Sequence, residues 1–122
     1  MRVSGLPLHK LISQELWQPM GAEEDGYFTV DARGYGLASG GFNGCLRDFG
    51  RFGQLYLDNG ICNGKQIIPQ AWIADVRGGD HGLWSEERRK LLPNGSYRNQ
   101  FWIEDATKES FMCLGVFGQL IY

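Results

Sequence analysis

Apolar residues along this chain fall into separate periodic clusters, divided by stretches rich in glycine and acidic residues. Leu8, Leu11, Ile12, Leu16 and Trp17 recur at helical spacing behind Pro7, a residue the first helical turn tolerates, so a helix is predicted over 8–16. Pro19 and Gly21 end it. The acidic Glu23-Glu24-Asp25 leads into Tyr27-Phe28-Thr29-Val30, which reads as a short strand or an extended segment. Residues 31–44 are dense in glycine and almost free of helix formers, which fits a working loop or an unordered one.

The longest predicted helix follows. Leu46, Phe49, Phe52, Leu55 and Tyr56 form one stripe, Arg47, Asp48, Arg51 and Asp58 lie off it, and Asn59-Gly60 is the stop signal. Gly50 and Gly53 sit inside it at a cost of about 1 kcal/mol each relative to Ala, which predicts close approach of another element. Asn63-Gly64 suits a two-residue primed turn between Ile61-Cys62 and Lys65-Gln66. Pro69 opens a short helix to about Val76, ended by Gly78-Gly79, and a helical turn is expected over 85–91 within a mainly loop-like stretch. Tyr97-Arg98-Asn99-Gln100-Phe101-Trp102-Ile103 reads as an aromatic strand, residues 104–110 as a polar turn and residues 111–122 as a second strand spaced by Gly115 and Gly118. That strand ends on the apolar Leu120-Ile121-Tyr122 with no turn signal after it, and looks interrupted.

With 122 residues, the chain has room for one core and predicts one domain or a piece of one. A net charge of −2 argues against a nucleic-acid groove, which needs a dense basic stripe. Arg88-Arg89-Lys90 follows Glu86-Glu87 and reads as a solvated helix face or loop. Cys45, Cys62 and Cys113 are odd in number and lack C-x-x-C spacing, so they predict reduced, partly buried thiols and neither a disulfide framework nor a zinc site. Asp75, Asp80 and His81 cluster near a glycine pair, but two distant histidines make no helical metal motif, and no metal or cofactor is expected. Residues 1–7 lack the apolar core of a signal peptide and no run reaches membrane-spanning length, so a soluble, cytoplasmic chain without membrane association is expected.

The segment Ala38-Ser39-Gly40-Gly41-Phe42-Asn43-Gly44-Cys45-Leu46-Arg47-Asp48-Phe49-Gly50-Arg51-Phe52-Gly53-Gln54-Leu55 resembles the "A-G-G-L-x-S-T-x-x-D-L-A-R-F-G-Q" stretch of class C-type β-lactamase-like serine hydrolases. Asn59-Gly60 followed by Lys65-Gln66-Ile67-Ile68-Pro69-Gln70-Ala71-Trp72-Ile73 is similar to the "N-G-x-x-x-G-x-x-I-L-P-x-x-W-I" of the same family. Ser96 to Ile103, with Gly115-Val116-Phe117-Gly118-Gln119, looks most like the branch of 6-aminohexanoate-dimer hydrolases and their esterase relatives. The resemblance implies an α+β fold, an antiparallel sheet flanked by helices, of which residues 1–122 would be a part.

It also implies acyl transfer by a serine nucleophile, a lysine that deprotonates it and a tyrosine that shuttles the proton. Serine needs a base within hydrogen-bond reach, yet Ser4, Ser13, Ser39, Ser85, Ser96 and Ser110 are followed three positions on by Pro7, Leu16, Phe42, Arg88, Asn99 and Cys113, never by lysine. Tyr97-Arg98-Asn99 matches a bare Y-x-N, but it leads a strand, whereas the family's catalytic tyrosine precedes the helix that here begins near Leu8. The expectation is a piece lacking both motifs and inactive alone. A non-catalytic binding or accessory module on the same scaffold is the alternative.

By resemblance, Cys113-Leu114-Gly115 occupies the place of the family's Lys-Thr-Gly-type motif, and Val116 supplies a backbone N–H to the oxyanion hole. Gly115 would let substrate approach the strand, and the alternative is that Gly115 and Gly118 merely mark a bulge or bend. Phe117 and Trp102 are candidates for the acyl pocket, beside the reading of Trp102 as core, and Ser39, Gly40 and Gly41 for a substrate-side loop, beside that of a plain connection. Cys113 stands where a lysine or histidine would meet an anionic substrate, which favours amides or esters of other acyl groups over β-lactams. Strands lacking partners leave open sheet edges, so self-association is expected.

Overall fold

The computed structural model describes residues 3–79 and 84–122. They form helices and short antiparallel sheets, the α+β class expected, in two compact units, Met1–Ile67 and Ile68–Tyr122. Asp80 and His81, and with them the check for a metal site beside Asp75, lie outside the described residues. Among the described residues no helix is long and apolar enough to cross a membrane.

In the first unit, α1 (Leu8–Ile12) starts at Pro7, whose carbonyl accepts from the Leu11 N–H at 3.0 Å. The expected single helix changes pitch at Ser13–Trp17, one wide turn in which the Gln18 N–H reaches back five residues to the Ser13 carbonyl. Trp17 there turns inward. Its indole Nε1–H donates to the Glu24 carbonyl at 2.8 Å, and its ring meets Phe42 edge-on at 4.8 Å and Phe49 at 6.3 Å. A side chain at Gly44 would strike this ring, since a Cβ built there lies 2.9 Å from Trp17 Cη2.

Residues 27–43, read from sequence as strand and glycine loop, fold into one ordered hairpin. The strands β1 (Tyr27–Phe28) and β2 (Phe42–Asn43) pair antiparallel, and a bridge between Val30 and Gly36 extends the pairing inward. Asp31 closes the tip, because its Oδ1 accepts from the Arg33 N–H at 2.8 Å and the Tyr35 N–H at 2.9 Å.

α2 (Leu46–Leu57) buries Leu55 and Tyr56 as the stripe predicts, but its first turn departs from it. Leu46 is exposed and Asp48, placed off the stripe by its charge, is fully buried. The inversion has a tertiary cause. The Asp48 carboxylate accepts from the Glu23 and Glu24 N–H groups at 2.9 and 3.1 Å, so it turns inward to satisfy otherwise orphaned backbone donors. Gly50 contradicts the close-approach expectation, with open space where its Cβ would stand. Asn59 and Gly60, both at positive φ, end the helix, and Asn63-Gly64 at φ 49° and 75° turn β3 (Ile61–Cys62) onto β4 (Lys65–Gln66).

The second unit is one antiparallel sheet, ordered β5-β6-β7-β8, with α3 (Gln70–Gly78) and α4 (Glu86–Leu91). β5 (Ser96–Arg98) and β6 (Phe101–Asp105) replace the single strand predicted over 97–103. Asn99 and Gln100 both take positive φ, 50° and 73°, and reverse the chain. Asn is the non-glycine residue that visits this region most readily, and here its Nδ2–H also donates to Asp75 on α3 at 2.7 Å. A tertiary hydrogen bond thus helps break the strand.

β6 and β7 (Ser110–Leu114) form the predicted hairpin, joined by a 3₁₀ turn at Ala106–Lys108 that Asp105 caps through the Thr107 N–H and hydroxyl at 2.9 and 2.6 Å. The second predicted strand, 111–122, is again two: Leu114 is followed by a reversal, and β8 (Leu120–Ile121) folds back along β7. Side chains alternate across the sheet. Phe101 and Ile103 point to the face where α3 supplies buried Ile73 and Val76, and Trp102 points to the opposite face, under Trp84 and Arg88.

Candidate functional site

The reversal between β7 and β8 carries three of the predicted site residues, Gly115, Val116 and Phe117. The Gly115 N–H donates to the Gln119 carbonyl at 2.8 Å and the Gly118 N–H to the Gly115 carbonyl at 3.1 Å, closing a tight loop with Gly118 at φ 85°. The Phe117 N–H is taken by the Gln119 side-chain oxygen at 3.2 Å. Val116 lies outside the ladder at the tip, 95% exposed, and Phe117 is 91% exposed beside it. The tip therefore presents main chain and two apolar side chains outward.

The strands behind the tip set its electrostatics. Cys113 pairs with Ile121, and burial pushes its thiol up to about 11, so at neutral pH it offers neither a cation nor a thiolate. Tyr122 donates its hydroxyl to Glu104 Oε2 at 2.6 Å. That bond lowers the pKa of the Glu104 carboxyl and raises that of the phenol, so Tyr122 stays a donor and is no base near neutral pH.

Trp102 lies on β6, one strand in from the β5 edge of the sheet. Its ring meets Trp84 at 5.5 Å and Tyr97 at 5.9 Å, both edge-on, and the Arg88 guanidinium lies 4.9 Å over it. Arg88, read from sequence as part of a solvated charge run, thus has a second function as the lid of an aromatic stack. Tyr97 donates to the Gln100 side chain at 3.0 Å from a sheet edge, as a structural tyrosine does.

Ser39, Gly40 and Gly41 belong to the first unit, at the inner turn of its hairpin. The Gly41 carbonyl accepts from the Thr29 N–H at 2.8 Å, the Gly41 N–H donates to the Leu37 carbonyl at 3.1 Å, and Gly41 is buried while Ser39 and Gly40 are exposed. A Cβ at Gly41 would press on Leu37, 2.7 Å from its Cβ, so glycine here serves the turn itself. A shallow hollow elsewhere in this unit is lined by Met20, Arg51, Gln54, Asp58 and Cys62 among others.

Two polar clusters escaped the sequence reading. Asp48 gathers the Arg51 guanidinium at 2.8 Å and the Cys45 thiol at 3.1 Å besides its two backbone donors, and Arg51 also pairs with Glu23. Burial pulls the Asp48 pKa upward, but those donors together outweigh it and hold it at about 2. Its backbone donors lie 24 and 25 residues away, so its place in the helix did not announce them. In the second unit Asp75 holds Arg98, whose Nε–H donates at 2.9 Å, together with Asn99. Nothing in the spacing of residues so far apart announces that contact. Among the described residues no group of His, Cys, Asp and Glu is arranged to hold a metal ion.

No family model matches the chain. A search of curated proteins finds the 6-aminohexanoate-dimer hydrolase of Paenarthrobacter ureafaciens, 32% identical over 123 aligned positions that cover 99% of this chain and 31% of that one. Among solved structures, a putative 6-aminohexanoate-dimer hydrolase from Bacillus anthracis superposes with a TM-score of 0.82 at 36% identity, covering 98% of this chain and 30% of that one. The chain thus spans less than a third of the length of either relative. Sequence and backbone thus agree, over almost all of these 122 residues, with part of the 6-aminohexanoate-dimer hydrolases, and the chain has the fold of that part of a β-lactamase-like protein.

Proposed function

We propose that this polypeptide is one flank of an acyl-transfer site for linear amides or esters, supplying an anion-stabilising main-chain donor while the attacking serine, its lysine base and the tyrosine proton shuttle belong to other polypeptide. The observation that carries the reading is the Val116 tip: an amide outside the strand ladder, between two glycines, next to apolar side chains. A fixed N–H aimed at a developing oxyanion accelerates acyl transfer by roughly 10² to 10³, and any residue but proline can supply it.

The neutral thiol of Cys113 favours acyl groups that need no cation at this point. Substrates of the 6-aminohexanoate-oligomer or carboxylesterase type fit that condition. A cytoplasmic location belongs to the same proposal. Because no serine is followed by lysine three positions on, the chain alone should not turn over.

Two measurements test this. The 122-residue chain, offered p-nitrophenyl esters and 6-aminohexanoate oligomers, should show no hydrolysis. Saturable turnover that a serine-directed acylating agent abolishes would overturn the reading. Grafted in place of the matching segment of the Paenarthrobacter relative, the chain should support activity, and Val116→Pro in that chimera should lower kcat by roughly 10² or more. An unaffected kcat would remove Val116 from the site. The alternative, an accessory module without chemistry, is favoured by the missing Ser-x-x-Lys, and a chimera that folds but never turns over would support it.

A further inference from the structure

The chain carries four Asn-Gly pairs, Asn43-Gly44, Asn59-Gly60, Asn63-Gly64 and Asn94-Gly95. Such a pair can react with itself, because glycine has no Cβ to shield its amide nitrogen from the asparagine side chain before it. Once hydroxide or a buffer base removes the glycine N–H proton, the nitrogen attacks the asparagine Cγ, a C–N bond forms and ammonia leaves, giving a five-membered cyclic imide. Water then opens the ring at either carbonyl and leaves aspartate or isoaspartate. In sum, an amide and a water become a carboxylic acid and ammonia. Ring closure needs a glycine nitrogen and an asparagine amide that are both free to move.

The fold secures three of the four pairs. Asn43 donates its Nδ2–H to the Gly41 carbonyl at 2.9 Å and pairs with Tyr27 in the ladder, while the Trp17 ring lies against Gly44. Gly60 is buried and its N–H donates to the Leu55 carbonyl at 2.7 Å. Gly95 is buried against Trp84, its N–H donates to the Leu92 carbonyl at 3.0 Å, and the Asn94 side chain donates to Asp105 Oδ2 at 3.3 Å. Each of these pairs must give up a hydrogen bond, and two must also expose buried backbone, before the ring can close.

Asn63-Gly64 is held in none of these ways. Both residues are exposed, and among the described residues neither the Asn63 side chain nor the Gly64 N–H has a hydrogen-bond partner. A Cβ at Gly64 would meet nothing within 4 Å. The strands that flank the turn are two residues each, so it can leave its φ values of 49° and 75° by opening a very short ladder. We infer that Asn63 is a self-modification site, where this chain loses ammonia and gains a carboxylate in preference to its other three Asn-Gly pairs. An isoaspartate there inserts an extra methylene into the backbone between β3 and β4 and shifts their register. Either product adds a negative charge beside the hollow that Arg51 and Asp58 line.

The test is incubation of the 122-residue chain at pH 8, with and without urea, followed by proteolysis and mass spectrometry in which fragment ions place each amide-to-acid conversion on its residue. Without urea, Asn63 should convert at least about tenfold faster than Asn43, Asn59 or Asn94, the factor supplied by a hydrogen bond that must open first at the others. In urea the four rates should converge to within about threefold, since each asparagine then precedes a glycine with no fold to hold it. Asn63→Gly keeps a residue that enters positive φ freely, and should remove most of the ammonia released by the native chain. A native lead of Asn63 no larger than the spread among the four in urea, or ammonia release unchanged in Asn63→Gly, would overturn the inference.

Discussion

Ile103 offers the sharpest test of how the second unit is held together. It lies at the centre of β6, 1% exposed, with Val76 and Ile73 of α3 buried in the same unit. Ile103→Val removes one methylene, worth about 0.8 kcal/mol in transfer alone. Ile103→Ala removes three carbons, or about 2.4 kcal/mol, and the incompletely collapsed cavity brings the loss to roughly 3 to 4 kcal/mol. Val116→Ala is the control, because a side chain 95% exposed should change stability by less than about 0.5 kcal/mol. Urea unfolding followed by tryptophan fluorescence in a Trp17→Phe background reads the unit, since Trp72, Trp84 and Trp102 all lie in it and Trp17 belongs to the other. The slope should stay constant while the midpoint falls in the order Val, then Ala. If Ile103→Ala costs under about 1 kcal/mol, or no more than Val116→Ala, then β6 and α3 do not share a packed core and the sheet's two faces have been assigned wrongly.

Three further outcomes follow from named contacts. The Asp48 carboxyl has its pKa lowered in the folded state, to about 2 from 3.8, so its contribution is complete above the unfolded value and disappears as pH falls through the folded one. Thermal midpoints should therefore drop between pH 4 and 2, and Asp48→Asn should be less stable at pH 6 with a flatter profile across that window; parallel profiles would refute the assignment. Gln100→Gly should raise stability by about 1 kcal/mol in the same urea assay, because Gln100 holds φ 73° at a turn glycine enters freely, and a loss would mean its bond to Tyr97 outweighs the strain. Cys113 should react with a thiol reagent at pH 8 at least about tenfold more slowly in the native chain than in urea, since burial holds its pKa near 11, and equal rates would show it exposed.

Much of the local structure was already written in residue order. Pro69 and Gly79 bracket α3 and Asn63-Gly64 turns a hairpin, because these signals act through the backbone of their immediate neighbours. The family motifs were legible for the same reason, as side chains in fixed order. What the sequence misplaced depends on partners far along the chain. Asp48 is buried against its charge because the donors that satisfy it are 24 and 25 residues away, and the strand through Asn99 breaks partly because Asp75 holds its side chain. Gly115 announced a special backbone position, but only the pairing of Leu114 with Leu120 decides that the chain doubles back there and leaves the Val116 amide at a tip. Periodicity and turn chemistry act over a few bonds and can be read one residue at a time, whereas burial of a charge and reversal of a strand are settled by hydrogen bonds between segments that only folding brings together.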